Sequence, residues 1–384
     1  MHSVIIGAGI AGLCLAIELR RLGVDVTVVE RRYPGSGNST RNVGRLRRMQ
    51  LTADLTEFAC RASDKWRRLD IITGGRNPLR YPTRYLWVLY GDDERRTVEP
   101  LQEMWQEYRA NARLVEPKAV IKAVPVLDGG ESPVGGVLGE AAIVHHDAAV
   151  HGLLLEARTR GIGLVIGDEV VEPLLDGSRA VGVVTATDKR LEADVVVNAA
   201  GGRSDQVARL FGVEVPNVPI RREVLVTEPS RPFMNAAVTF YRPQEGWFNQ
   251  TLRGEMVAGV VDVDEPFGMV ETSSLRFLGR TARVLIGKAP RLASLRVIRQ
   301  WAGVYDTTPD RRPLIGEHRQ RPGFYSLNGW SGRGLLLAPL AAELAAREIA
   351  GGGRDRLLQT FDPNRFEEGA EVSSSPDYYG GYAH

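Results

Sequence analysis

Cysteine is nearly absent from this 384-residue sequence; Cys14 and Cys60 are the only two. Neither sits in a CxxC or in a Cys/His cluster with ligand spacing, which excludes a disulfide scaffold and a cysteine-built metal site. Net charge is nearly absent too. The 49 basic and 47 acidic side chains leave +2, so no bulk field draws the chain to nucleic acid or to an anionic membrane. Only five of the basic residues are lysine, and arginine carries almost all the positive charge. No apolar run approaches the ~18 residues that a membrane-spanning helix needs. The run Val4-Ile5-Ile6 opens almost at once, so no secretory signal is expected. A reducing, cytoplasmic location fits the cysteine usage.

What is present is ordinary globular material, 43% hydrophobic and 25% charged. That composition and length suffice for a large core arranged as two domains, or as one domain with a long insertion.

The first thirty residues carry the strongest signal. Val4-Ile5-Ile6 reads as a buried parallel strand, and Gly7-Ala8-Gly9-Ile10-Ala11-Gly12 follows it directly. Leu13 to Leu22 reads as a helix, Val24 to Val29 as a second strand, and Glu30 stands eighteen residues beyond Gly12. In that strand–turn–helix setting the glycine pattern is a dinucleotide fingerprint. Gly7 allows the turn, Gly9 admits a pyrophosphate to the backbone, and Gly12 lets helix and strand pack closely. The helix N-terminus offers free N–H groups and a positive dipole end to the phosphates. Glu30 can accept the hydroxyls of an adenosine ribose, and its charge would repel the 2′-phosphate of NADP. Further cofactor-like segments recur to the far end of the chain, which favours the long FAD over NAD.

The polar loop 34–42 leads into an arginine-rich stretch, and Leu51 to Leu69 has helical periodicity. A strand is expected at Arg84–Leu89, a helix within Pro100–Asn111 and another over Ala148–Arg160. Leu164–Ile166, Glu169–Val171 and Ala180–Ala186 read as a meander. The strand Asp194–Asn198 runs into Ala199-Ala200-Gly201-Gly202. Strands follow around Val224–Val226, Ala237–Tyr241 and Met256–Val261, then a helix over Thr272–Leu285. The last unit is strand Phe324–Gly329, turn Trp330–Gly334 and helix Leu337–Ala350, a second βα turn rich in glycine. The order implies an α/β (α+β) protein. A discontinuous Rossmann-like FAD-binding domain (1–80, 140–218 and 298–370) would be threaded by an antiparallel-sheet substrate domain (81–139 and 219–297), with a mobile tail at 371–384.

Four segments together resemble the D-amino-acid-oxidase-like superfamily of FAD enzymes, and within it the sarcosine oxidase β subunits and the archaeal dye-linked L-proline dehydrogenases. They are VIIGAGIAGLCLAIELRRLGVDVTVVE from Val4, GSGNSTRNVGRLR from Gly35, DVVVNAAGG from Asp194, and RQWAGVYDTTPDRRPLIG from Arg299 with NGWSGRGLLLAP from Asn328. The resemblance implies that Gly7, Gly9 and Gly12 face the FAD pyrophosphate, with Glu30 at its ribose and Arg31 beside the adenosine. It implies that Ser39, Thr40 and Arg41 line the flavin, that Val170 holds the adenine through its backbone, and that Ala200 and Gly201 pack on the cofactor. Gly332, Arg333 and Gly334 would bring backbone N–H groups to the pyrimidine edge of the flavin, where such dipoles stabilise negative charge. Arg47 matches an arginine at the flavin face in sarcosine oxidases or, alternatively, is a surface arginine among others. Tyr241 and Tyr305 are either pocket walls or core tyrosines with a bonded hydroxyl. His146-Asp147-Ala148 resembles the point where sarcosine oxidase β subunits attach a second flavin, FMN. His146 is therefore a candidate FMN site or, alternatively, a histidine of a helix cap.

Two departures shape the expectation. Gly303 stands where monomeric relatives carry a cysteine bonded to FAD, so FAD should be held non-covalently. Leu336 replaces a lysine that binds the substrate carboxylate in sarcosine oxidases, which leaves the carboxylate-binding mode open. The implied reaction is oxidation of the C–N bond of a small, preferably secondary, amino acid such as L-proline or sarcosine, by hydride transfer to flavin with release of an imine. Oxygen, a dye, a quinone or a partner flavoprotein would then accept the electrons. The alternatives are a 2-hydroxy acid or glycerol-phosphate dehydrogenase on the same fold, or a flavin-carrying subunit active only in a hetero-oligomer; a homo-oligomer is also open. No metal is expected.

Overall fold

A computed structural model describes residues 1–68 and 72–366. The helix end expected at Leu69 and the tail expected at 371–384 lie outside the described residues.

The apolar opening of the chain becomes the centre of a six-stranded sheet. His2–Ile6 lies between Asp25–Glu30 and Val195–Asn198 and is parallel to both. Gly163–Ile166 extends the sheet beyond Asp25–Glu30, and Arg321–Asn328 with Leu314–His318 extends it on the other side. Val4, Ile5, Val28, Val196 and Val197 are fully buried, as expected for strands covered on both faces. Helix Ile10–Arg21 packs one face together with helix Gly334–Ile349, through Leu13, Leu15, Ile17, Leu337, Ala341 and Leu344. Each fully buried leucine or isoleucine there contributes roughly 1.5–3 kcal/mol. The meander expectation needs one correction. Gly163–Ile166 joins the parallel sheet, while Val170–Asp176, Arg179–Thr185 and Arg190–Glu192 form a separate three-stranded antiparallel sheet. A four-residue apolar strand carries no local mark of which sheet it enters.

The second large sheet has nine strands. Its order is Val297–Thr307, Val218–Pro229, Glu255–Val260, Gly246–Gln250, Ala236–Phe240, Tyr81–Leu89, Gly135–Ile143 and Arg45–Arg47, with Arg113–Val115 also paired to Gly135–Ile143. It is antiparallel except where Ala236–Phe240 runs parallel to Tyr81–Leu89. Leu86, Val88, Val238, Phe240, Phe248 and Ala258 point to one side and pack on helix Leu275–Lys288, whose start is capped by Ser274 Oγ accepting from Phe277 N at 3.2 Å. The opposite pleat face carries Tyr85, Trp87, Thr239, Trp247 and Tyr305. That face curls over the C-terminal ends of the parallel strands.

Candidate active site

Four loops leave the C-terminal ends of neighbouring parallel strands and meet around one cavity of about 430 Å³. This is the crevice where open parallel sheets bind ligands. The loops are the glycine turn after Ile6, the segment from Glu30 to Asn42, the stretch Ala199–Arg203, and the turn Trp330–Gly334.

The glycine turn is dictated by close contacts. Gly7 has φ +110°, and a Cβ there would lie 2.6 Å from Ala199 O. A Cβ on Gly12 would lie 2.0 Å from Gly7 O, so Gly12 packs the helix against the turn and does not itself line the cavity. Glu30, 7% exposed, accepts Ala8 N at 3.0 Å on Oε2, and Arg32 N at 2.9 Å and Ser36 Oγ at 3.2 Å on Oε1. Oε2 is thus the freer oxygen for a ribose hydroxyl. Ser39 Oγ accepts the first helical N–H, from Ile10, at 2.9 Å. The next residues differ from expectation. Thr40 Oγ1 donates to Gly35 O at 2.8 Å, and Arg41 pairs with Glu271 at 3.3 Å and bonds Ser36 O. Both therefore brace the loop from behind and do not line the cavity.

Arg31 and Val170 line the cavity together with Glu30, Asp168, Glu169 and Gln206. Burial and the nearby Arg203 lower the Arg31 pKa. Asp168 is held down to about 2 by hydrogen bonds, first from the Thr187 hydroxyl at 2.5 Å. Ala200 and Gly201 line the middle, where a Cβ on Gly201 or Gly37 would meet no atom within 4 Å.

At the far end stand Trp330, Gly332, Gly334, Tyr305 and Asp306. Helix Gly334–Ile349 begins at the second glycine, three residues before the start expected from sequence. Arg333 departs from its expected role. Its backbone N–H is donated to Trp330 O at 2.9 Å, and its guanidinium to Gln50 Oε1 at 3.1 Å and Arg311 O at 3.0 Å. It builds the turn, while Gly332 and Gly334 border the cavity. The Asp306 carboxyl, buried and accepting Gly329 N at 2.8 Å, is pushed up to about 7 by loss of water. Burial likewise raises the Tyr305 hydroxyl, whose ring lies 5.5 Å from the Arg222 guanidinium.

Arg45–Arg47 sits at the edge of the nine-stranded sheet. Its alternation puts Leu46 into the core and both arginines on the concave face. Arg47 donates to Tyr85 Oη at 2.8 Å. Glu245 is kept more protonated than usual by burial, opposed by Arg222, Arg311, Arg47 and Arg333 in that order. Tyr241 lies edge-on to Trp87, ring centres 4.9 Å apart, outside the cavity wall. His146 opens helix His146–Thr159 beside His145 and Asp147, away from the cavity lining, and burial lowers its pKa. Sequence reasoning missed Arg45, Arg222, Glu245 and Asp306. Only Arg45 had a signal, two positions from Arg47 and hence on the same strand face.

A carboxylate at one end, glycine backbones in the middle and aromatic walls at the other fit an elongated ligand with ribose, pyrophosphate and a flat ring. That defines the class, a dinucleotide-binding flavoprotein fold. The chain matches the family model described as "FAD dependent oxidoreductase" (DAO) over residues 2–348 and belongs to that family. It is therefore an FAD-dependent oxidoreductase. It is similar to sarcosine oxidase subunit beta of Rhodobacter capsulatus, 27% identical over 97% of this chain and 90% of the relative. It is similar to glycine oxidase of Pseudomonas aeruginosa, 26% identical over 91% and 94%. The structure of L-proline dehydrogenase from P. horikoshii superposes with a TM-score of 0.89 at 27% identity, covering 96% of this chain and 98% of that one. Among the described residues no helix is long and apolar enough to cross a membrane.

Proposed function

We propose that this protein oxidises the C–N bond of a small amino acid, preferably a secondary one such as L-proline or sarcosine, with non-covalently held FAD as the acceptor. Bound FAD supplies a two-electron sink that takes up a hydride equivalent. Glu30 and the backbones of Gly7, Gly9, Ala200 and Gly201 would hold its adenosine diphosphate half, and Gly332 and Gly334 would border its ring.

One observation carries the reading. At the concave sheet face, Arg47 and Arg222 of its strands and Arg311 and Arg333 of the adjoining loops all act electrostatically on a single carboxylate, Glu245. Such a face attracts an acid group, and arginine's planar fork suits a carboxylate. Arg47, held by Tyr85, orients that carboxylate so the α-hydrogen faces the flavin; Tyr305 and Trp330 exclude water from the reacting bond. An amine bound in its neutral form can leave as an imine without a dedicated base, and the imine hydrolyses in water.

The names of the similar proteins support amine chemistry, since they include sarcosine oxidase, glycine oxidase and proline dehydrogenase. A second reading has its own support. Two of the similar proteins, matched over 97% and 95% of this chain, are named as subunits, which favours action within a hetero-oligomer. The test is anaerobic addition of L-proline, sarcosine, L-lactate and glycerol 3-phosphate to the FAD-loaded protein. Bleaching of the flavin by the amines alone is expected. Bleaching by lactate or glycerol phosphate alone would overturn the reading.

A further inference from the structure

Arg45 is the least explained charge on the concave face. Its guanidinium donates to Asn249 Oδ1 at 2.9 Å and Thr239 Oγ1 at 3.0 Å, and it lies 5.2 Å from the Trp247 ring centre. These are neutral partners. Nη2 is out of reach of solvent and bonded to nothing. Burial, with a smaller contribution from Arg47, lowers the Arg45 pKa to about 10. An arginine withdrawn in part from water, with no counter-charge, is costly to the fold, and stacking on an indole offsets only part of that cost.

Among the described residues no carboxylate is hydrogen-bonded or ion-paired to Arg45. The groups that act on Arg45 are Tyr85, Arg47, Tyr305 and Tyr241, three neutral phenols and another cation. A carboxylate on this face, Glu245, is already opposed by Arg222, Arg311, Arg47 and Arg333. Tyr305, one of the groups that act on Arg45, also lines the cofactor cavity.

Geometry completes the case. Arg45 and Arg47 project to the same side of one strand, two residues apart, pairing with Ile143 and Ala141. Their origins are thus separated by about 6.6 Å. Two parallel forks at that spacing suit two acid groups joined by a short bridge. Building on the amine-oxidase reading above, we infer that the substrate is a secondary amine bearing two acid groups, one held by Arg47 and the other by Arg45. For the simplest such amine the chemistry is R–NH–CH2–COO⁻ + H2O + FAD → R–NH2 + OHC–COO⁻ + FADH2. The C–H bond breaks with its electron pair passing to the flavin, and water adds to the resulting C=N bond, which then breaks.

The test uses the FAD-loaded protein. Thiodiacetate and (methylthio)acetate replace the amine by sulfur and differ by one carboxylate; their binding is read from the shift of the flavin spectrum. Iminodiacetate and sarcosine are the matching amines, and their rates are read from anaerobic bleaching. The wild type should bind thiodiacetate at least tenfold more tightly than (methylthio)acetate and react with iminodiacetate at least tenfold better than with sarcosine in kcat/KM. Arg45→Met should cut both ratios at least tenfold, and Arg45→Lys, which keeps the charge, should restore part of each. Equal affinity for the two thioethers, or ratios unchanged in Arg45→Met, would overturn the inference even if sarcosine bleaches the flavin. A thioether preference lost in Arg45→Met, with no amine bleaching the flavin, would support Arg45 as the second acid receptor and instead overturn the amine reading.

Discussion

Glu30 holds three donors of its own chain, Ala8 N, Arg32 N and Ser36 Oγ, and so fixes the glycine turn that borders the cavity; in the proposed function it also holds the ribose. Replacing it by glutamine removes the charge and turns an amide N–H toward the Ala8 N–H. Hydrogen bonds to a charged group are worth about 1.5–3 kcal/mol, so Glu30→Gln should weaken FAD about 10- to 100-fold, measured by quenching of flavin fluorescence on titration of the deflavinated protein. Asp306 makes a pH prediction. Its folded pKa of about 7 lies above the ordinary carboxylate value, so the native state holds a proton that the unfolded chain has released. Stability from this group is present below about pH 4 and is lost as pH rises through about 7. Asp306→Asn should lack that decline, so its melting temperature relative to wild type should rise between pH 4 and 7 and level off above; a flat difference would refute the assignment. At this scale the sequence was readable where a residue type has one use at one place, as with Gly7 and Glu30. It was silent on Asp306 and Glu245, whose roles come from burial among residues distant in the chain.

The strand–turn–helix at the N-terminus is the element on which the site is built. Gly12 leaves no room for any side chain, since its Cβ would fall 2.0 Å from Gly7 O. Gly12→Ala should force the helix off the strand, and the purified variant should carry little flavin and melt several degrees lower, a shift seen by thermal unfolding with and without added FAD. This element was legible because apolar strand, glycine turn and helix periodicity agree locally. Others were not. Gly135–Ile143 begins with two glycines and has alanine at Ala141 and Ala142, so it lacks a β-branched pattern, yet it pairs with three other strands. Gly246–Gln250 is short and mixed in composition, and its strand character comes from its neighbours on both sides. Val297–Thr307 stood out as a motif, and pairing with Val218–Pro229 along nearly its whole length makes it a strand.

At the scale of the molecule, the reaction space lies between two sheets. The six-stranded sheet offers its loop-bearing ends to the cofactor, and the nine-stranded sheet curls its arginine-bearing face over them. The order of βα units and strands in the sequence implies an α/β fold with an antiparallel-rich part. The contribution of Arg45–Arg47 to the second sheet was hidden, because three residues between loops have no pattern of their own. A ligand touching the glycine turn, Tyr305 and Trp330 ties the two parts together. At 100 times its Kd it adds about 2.7 kcal/mol to the native state, so saturating FAD should raise the melting temperature by several degrees in a single transition. The most direct test of the account is titration of the deflavinated protein with FAD and, in parallel, with NADP⁺, followed by calorimetry. The account predicts saturable uptake of one FAD per chain, weakened by Glu30→Gln, and no uptake of NADP⁺. Folded protein that stays colourless in excess FAD, or that prefers NADP⁺, would contradict it.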